Sequence, residues 1–160
     1  INLMLEDFKS AQGEKLSKEK LIEEIEKFIL NDDKFSYNIL VGTDSEYFDH
    51  KIDFVSVIVV HRIGQGARYF WRRQIFKTKL SLHQRLWQEA LMSLKIGQEL
   101  LKILVFKRLN FHFELHLDLG TIGKSSSSVK EIINLVRSYG FDVKIKPESY
   151  AASKIADRLL

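Results

Sequence analysis

Residues 54–60, Phe-Val-Ser-Val-Ile-Val-Val, are apolar on both alternating sides and mostly β-branched. A strand of this kind needs cover on both faces, which places it inside a layered structure of helices and sheet. Strand-like runs flank it at 37–45 and 67–77, and the central run itself extends over about 52–63. Gly64-Gln65-Gly66 lies between the second and third runs and reads as a hairpin signal. It is not a dinucleotide fingerprint, because no helix pattern follows it.

Helices frame these strands. Ser17 opens a helix over about 17–30 with a Leu21, Ile25, Phe28, Ile29 stripe, and Asn31-Asp32-Asp33 closes it. Ser81 opens a longer one over about 82–104, whose Leu86, Ala90, Leu94, Leu101 and Leu104 share a face. A fourth strand runs over 111–120, a loop rich in Gly and Ser follows, and a helix over 129–139 stops at Gly140. A short strand at 142–146 ends at Pro147, and a last helix runs from about 151 to the end. Residues 1–16 are weakly patterned and read as a loose segment. The expectation is one domain over 1–160, with 1–36 as an N-terminal helical extension. Three antiparallel strands followed by right-handed crossovers predict an α/β fold with a mixed five-stranded sheet and helices on its faces. The first and fourth strands would lie parallel and adjacent at its centre.

Each of those two strands delivers an acid. The run at 37–45 ends Gly-Thr-Asp-Ser with Asp44, and the fourth strand ends His-Leu-Asp-Leu-Gly with Asp118. A carboxylate is costly to bury unless it is paired, hydrogen-bonded or bound to a cation. Either Asp alone can be a turn former or a helix cap. Two of them on adjacent strand ends suggest a shared cation.

Composition narrows the chemistry. With no cysteine in 160 residues, disulfides, thiolate zinc sites and cysteine nucleophiles are excluded. No stretch approaches the roughly 18–20 apolar residues of a membrane span, and no secretory pattern opens the chain, so a cytoplasmic location is expected. The net charge is +4, and its distribution says more than its total. Between His61 and Lys79 lie Arg62, Arg68, Arg72, Arg73, Lys77 and Lys79 without an acid, interleaved with Tyr69, Phe70, Trp71 and Phe76. Such a ribbon suits a nucleic-acid backbone and its bases. It equally suits a sheet with aromatics on a buried face and Arg on a solvated one. Gly-Thr-Ile-Gly-Lys-Ser at 120–125 lacks the first glycine of a nucleoside-triphosphate loop, since Asp118 stands there. Lys124 can still meet a substrate phosphate, as can Lys146. His112 and His116 share a strand face with Glu114 and Asp118 rather than forming a zinc set.

Four segments carry a resemblance: Val-Gly-Thr-Asp-Ser (41–45), Leu-His-Gln-Arg-Leu-Trp-Gln-Glu-Ala (82–90), His-Leu-Asp-Leu-Gly-Thr-Ile-Gly-Lys-Ser (116–125) and Lys-Pro-Glu-Ser-Tyr-Ala-Ala-Ser-Lys-Ile-Ala-Asp (146–157). They resemble the bacterial YkuK-like proteins, an uncharacterised group with a ribonuclease H-like fold. The resemblance implies a nuclease, or a related phosphodiester-processing enzyme, using Mg²⁺ or Mn²⁺ held by carboxylates on nucleic acid. It places metal-binding and catalytic roles on Asp44, Glu89, Asp118 and Asp157. Ser45, Arg72, Arg73, Lys124 and Lys146 would then contact substrate. Two other outcomes stay open: a non-catalytic nucleic-acid-binding or interaction module that keeps the fold, and a phosphohydrolase of small molecules.

Overall fold

A computed structural model describes residues 4–118 and 127–145. In chain order its elements are β1 (Lys9–Ser10), α1 (Lys18–Leu30), β2 (Tyr37–Phe48), β3 (Lys51–Arg62), β4 (Ala67–Phe76), α2 (Leu82–Phe106), β5 (His112–Leu117), α3 (Ser127–Ser138) and β6 (Asp142–Ile145). One mixed sheet has the order β1-β4-β3-β2-β5-β6. The first four strands of that order pair antiparallel, while β2–β5 and β5–β6 are parallel. The strands expected to be central and parallel, β2 and β5, do lie side by side.

The helix starts follow local chemistry. Ser17 caps α1 by accepting from the Lys20 N–H at 3.1 Å. Ser81 caps α2 through a reciprocal box: its hydroxyl accepts from Gln84 N–H, and the Gln84 side chain accepts from Ser81 N–H. All three described helices pack on one side of the sheet. Leu21 and Ile25 of α1, Leu94 and Leu100 of α2, and Ile132 and Val136 of α3 share a core with Ile39, Val41, Ile58, Val60, Phe70 and Leu115. Gly97 lets α2 come close to β5, since a Cβ there would stand 3.1 Å from Leu115 Cδ2. The other sheet face carries a smaller cluster of Leu40, Val55, Val57 and Val59, bordered by Tyr69 and Trp71. Residues 54–60 are accordingly buried throughout.

Three expectations need correction. The sheet has six strands among the described residues, not five, because β1 adds to the outer edge of β4. The first sixteen residues are not loose: Leu5 and Phe8 are fully buried and Leu16 nearly so. What holds them is Arg72, which is 3% exposed and lies on the helix side of the sheet. Its guanidinium donates to the carbonyls of Met4 at 2.9 Å and Glu6 at 3.4 Å, and it stacks over the Phe8 ring. Third, β2 does not stop at Ser45. It runs on to Phe48, paired to β3, as a ribbon that overhangs the end of β5.

That ribbon turns through Asp49 and His50, with φ of 46° and 59°. Two positive φ values are what a two-residue hairpin loop of the twist-matched kind demands, and a side chain such as histidine is strained there. His50→Gly should therefore raise the unfolding free energy by about 1 kcal/mol, read from urea denaturation.

Candidate functional site: an acidic cluster where β5 ends

Asp44 lies mid-strand in β2, opposite Val55 of β3. It meets a sheet edge only because β5, its other neighbour, ends at Leu117. Asp118 follows immediately, and the β2–β5 register, with Leu40 beside Glu114 and Gly42 beside His116, carries Asp44 and Asp118 to the same level and face. Glu89 approaches from the helix side. It sits on α2, 5% exposed, and its Oε1 accepts from the Ser45 hydroxyl at 2.5 Å. Arg85, one turn earlier, donates to the Ser45 carbonyl and hydroxyl, both at 3.3 Å. The Ser45 N–H donates to Asp44 Oδ1 at 2.9 Å.

The electrostatics of this corner are unusual. Burial pushes the Glu89 carboxyl up to about pKa 8. The negative charges of Asp44 and Asp118 push the same way, against the Ser45 hydrogen bond and the Arg85 charge. Glu89 therefore holds a proton at neutral pH. That both aspartates act on it places three acids from three elements within electrostatic reach of one another. No three His, Asp or Glu side chains among the described residues are disposed to grip one ion together.

A polar ladder fixes the position of Glu89. Ser93, one turn further along α2, donates to Thr43 Oγ1 at 3.0 Å, and Thr43 shares a 2.9 Å hydrogen bond with Ser56 of β3. Arg85, Glu89 and Ser93 thus form one i, i+4 row on α2, facing Ser45 and Thr43 on β2. Buried hydroxyls must find partners, so this row sets the register of helix on strand. Sequence reasoning missed Arg85 and the Thr43–Ser56–Ser93 chain. Their signal was present as polar residues at i, i+4 and i, i+2 on faces that are otherwise apolar.

On the other face, the Asn38 amide donates to Glu114 Oε1 at 3.2 Å, and Glu114 Oε2 lies 3.0 Å from His116 Nε2. His116 is buried and shares the face of Asp118.

The remaining expected contacts separate. Arg73 keeps its place on the face of Asp44, two strands away in the row Asp44–Val55–Arg73, and pairs with Asp53 at 3.0 Å. Arg72 points to the opposite side and serves the N-terminal segment, so the structure does not bring it to the acids. Phe70 is core, and Trp71 is half-buried with its indole N–H donating to the Ser10 carbonyl. The ribbon divides otherwise than either reading had it: Phe70 and Phe76 share the helix side with buried Arg72, while Tyr69 and Trp71 lie on the other face with Arg73. Asp157, Lys124, Lys146 and the last helix lie outside the described residues.

This sheet order, with acids delivered by its two central parallel strands, agrees with what comparison of the sequence finds. The family model described as ribonuclease H-like matches residues 20–160, and the chain belongs to that family. It is also similar to the uncharacterized protein YkuK of Bacillus subtilis (strain 168), with 29% identity over 150 residues, covering 86% of this chain and 87% of that one. No solved structure matches it.

Proposed function

We propose that this protein is a divalent-cation-dependent nuclease, or a related phosphodiester-processing enzyme, acting on nucleic acid. The observation that carries the reading is Glu89. A carboxyl held neutral mainly by burial, and further by the charges of Asp44 and Asp118, is an arrangement that gains from a cation, and it stands where the family resemblance would put a catalytic acid. The donor chemistry fits: carboxylate oxygens are hard ligands suited to Mg²⁺ or Mn²⁺. Asp44, Glu89 and Asp118, which do not converge on one point as they stand, would draw together to hold the ions, with Asp157 as the fourth acid. The chemistry supplied there would be activation of a water and neutralisation of charge on a phosphodiester. The chain's own residues do the positioning. Ser45 fixes Glu89 by hydrogen bond, Arg85 orients Ser45, and Arg73 offers a cation to a substrate phosphate on the face of Asp44. Lys124 and Lys146 would add phosphate contacts.

Calorimetric titration of Mn²⁺ into the wild type and Asp118→Asn tests this, with circular dichroism as the fold control. Binding that the substitution abolishes, together with Mn²⁺-dependent cleavage of an oligonucleotide, is the expected result. No binding even beside a non-cleavable oligonucleotide would replace the reading with that of a binding module. Cleavage confined to small phosphate esters, insensitive to salt, would point to a phosphohydrolase.

A further inference from the structure

Five of the large apolar side chains left in solvent gather at one end of the molecule. Tyr47, Phe48, Ile75, Phe76 and Leu82 are each 39–52% exposed and occupy the free end of β2–β3–β4 and the first residue of α2. This is the end that carries the acidic cluster. Tyr47 follows Ser45 by two residues on the same strand and therefore lies on its face, about 7 Å farther along. Tyr47 and Phe76 flank Ile52 across the sheet, so both rings stand on the α2 side. The Phe76 ring is set by an edge contact with buried Phe54, centroids 5.9 Å apart. It is an oriented surface, not a loose side chain.

The charge around these rings is predominantly basic. Residues 54–88 contain no Asp or Glu, and Lys77 and Lys79 lie in the exposed link from Phe76 to α2, with Arg85 one turn into the helix. Glu46 falls on the opposite sheet face from Tyr47. Rings beside these cations complement an anionic chain with unsheathed bases, with Asp49 of the β2–β3 turn the exposed acid at the same tip. A duplex keeps its base faces inside and cannot use them.

We propose that this surface is a docking platform for single-stranded nucleic acid. Tyr47 and Phe76 stack successive bases, Lys77 and Lys79 meet the phosphates, and the strand is led toward Ser45 and Glu89. The proposal deepens the nucleic-acid reading above and rests on it, by naming an unpaired segment as the substrate class.

The test is fluorescence anisotropy in EDTA, where cleavage plays no part. The probes are labelled oligo(dT) and oligo(U) of about 12 nucleotides and a blunt duplex of similar length. Wild type should bind the single strands more tightly than the duplex. Tyr47→Leu, which keeps apolar area but removes the ring, should weaken single-strand binding by roughly tenfold and leave duplex binding unchanged, with Tyr47→Phe restoring it. Phe76→Leu should act alike, with thermal unfolding as its control because it touches Phe54. Unchanged single-strand affinity in both Leu variants overturns the proposal, as does equal affinity for duplex. So does a dimer of the wild type that Tyr47→Leu converts to monomer in sedimentation, which would make the patch a self-association surface. Ring-dependent binding without any Mn²⁺-dependent cleavage would sink the nuclease reading and leave the platform standing. Cleavage with ring-independent binding would do the reverse.

Discussion

Followed by urea unfolding in a chelating buffer, the wild-type protein should lose about 3–5 kcal/mol of stability relative to Glu89→Gln between about pH 5 and about pH 9. The sign follows from where the proton goes. Folded, Glu89 titrates near 8, against 4.5 for the free side chain. Below 4.5 both states hold the proton, and the folded state bears no penalty. Between 4.5 and 8 the folded state keeps a proton that the unfolded chain has released, so each rise in pH favours unfolding. Above 8 Glu89 is charged in both states, and the full cost of a buried carboxylate remains. Glutamine is neutral throughout, and its Oε1 can still accept from Ser45. The difference between the two proteins should be small in acid and widest in alkali. Parallel profiles across that range would refute the buried proton.

Asp44→Asn should abolish cleavage with Mn²⁺ present, by on the order of 10³-fold or more, without unfolding the protein. Asn fits the β2 position opposite Val55 and can still accept from Ser45 N–H, so the strand has no reason to move. What disappears is one hard, charged donor. A second readout needs no activity at all. The Asp44 charge is one of the causes that raise Glu89, so its removal should shift the pH transition of the previous experiment downward. Retained cleavage would remove Asp44 from the chemistry, whereas an unmoved transition would show that its charge does not act on Glu89.

Much of this fold could be read from local chemistry. Ser17 and Ser81 cap helices because a hydroxyl at that position satisfies backbone N–H groups whatever surrounds it. Residues 54–60 declare a covered strand by composition alone. The N-terminal segment was opaque because its partners lie far along the chain: β4 pairs with β1, Arg72 binds its carbonyls, and the main core receives Leu5, Phe8 and Leu16. Nothing in residues 1–16 encodes those partners. Phe70 and Phe76 show a second limit. Both stand on the helix side of β4, yet one is core and the other 44% exposed. A period of two tells which side a residue faces but not how far the helical layer reaches. Asp44 and Asp118 were legible as acids delivered to a sheet edge. The reason for the edge was not, since it comes from β5 ending while β2 continues. Glu89 came from family resemblance, and only packing reveals the Ser45, Thr43 and Ser93 row that holds it.

The connectivity of the sheet also sets an order of events. The β2–β3–β4 meander closes through loops of two and four residues, Asp49–His50 and the four-residue turn before Ala67, and such hairpins form in microseconds. Pairing of β2 with β5 must wait for a long loop containing α2 to close. Asp44 and Asp118 therefore belong to different halves of the sheet, one closed by local turns and one by a long-range parallel pairing, and only the β2–β5 register brings them to the same level.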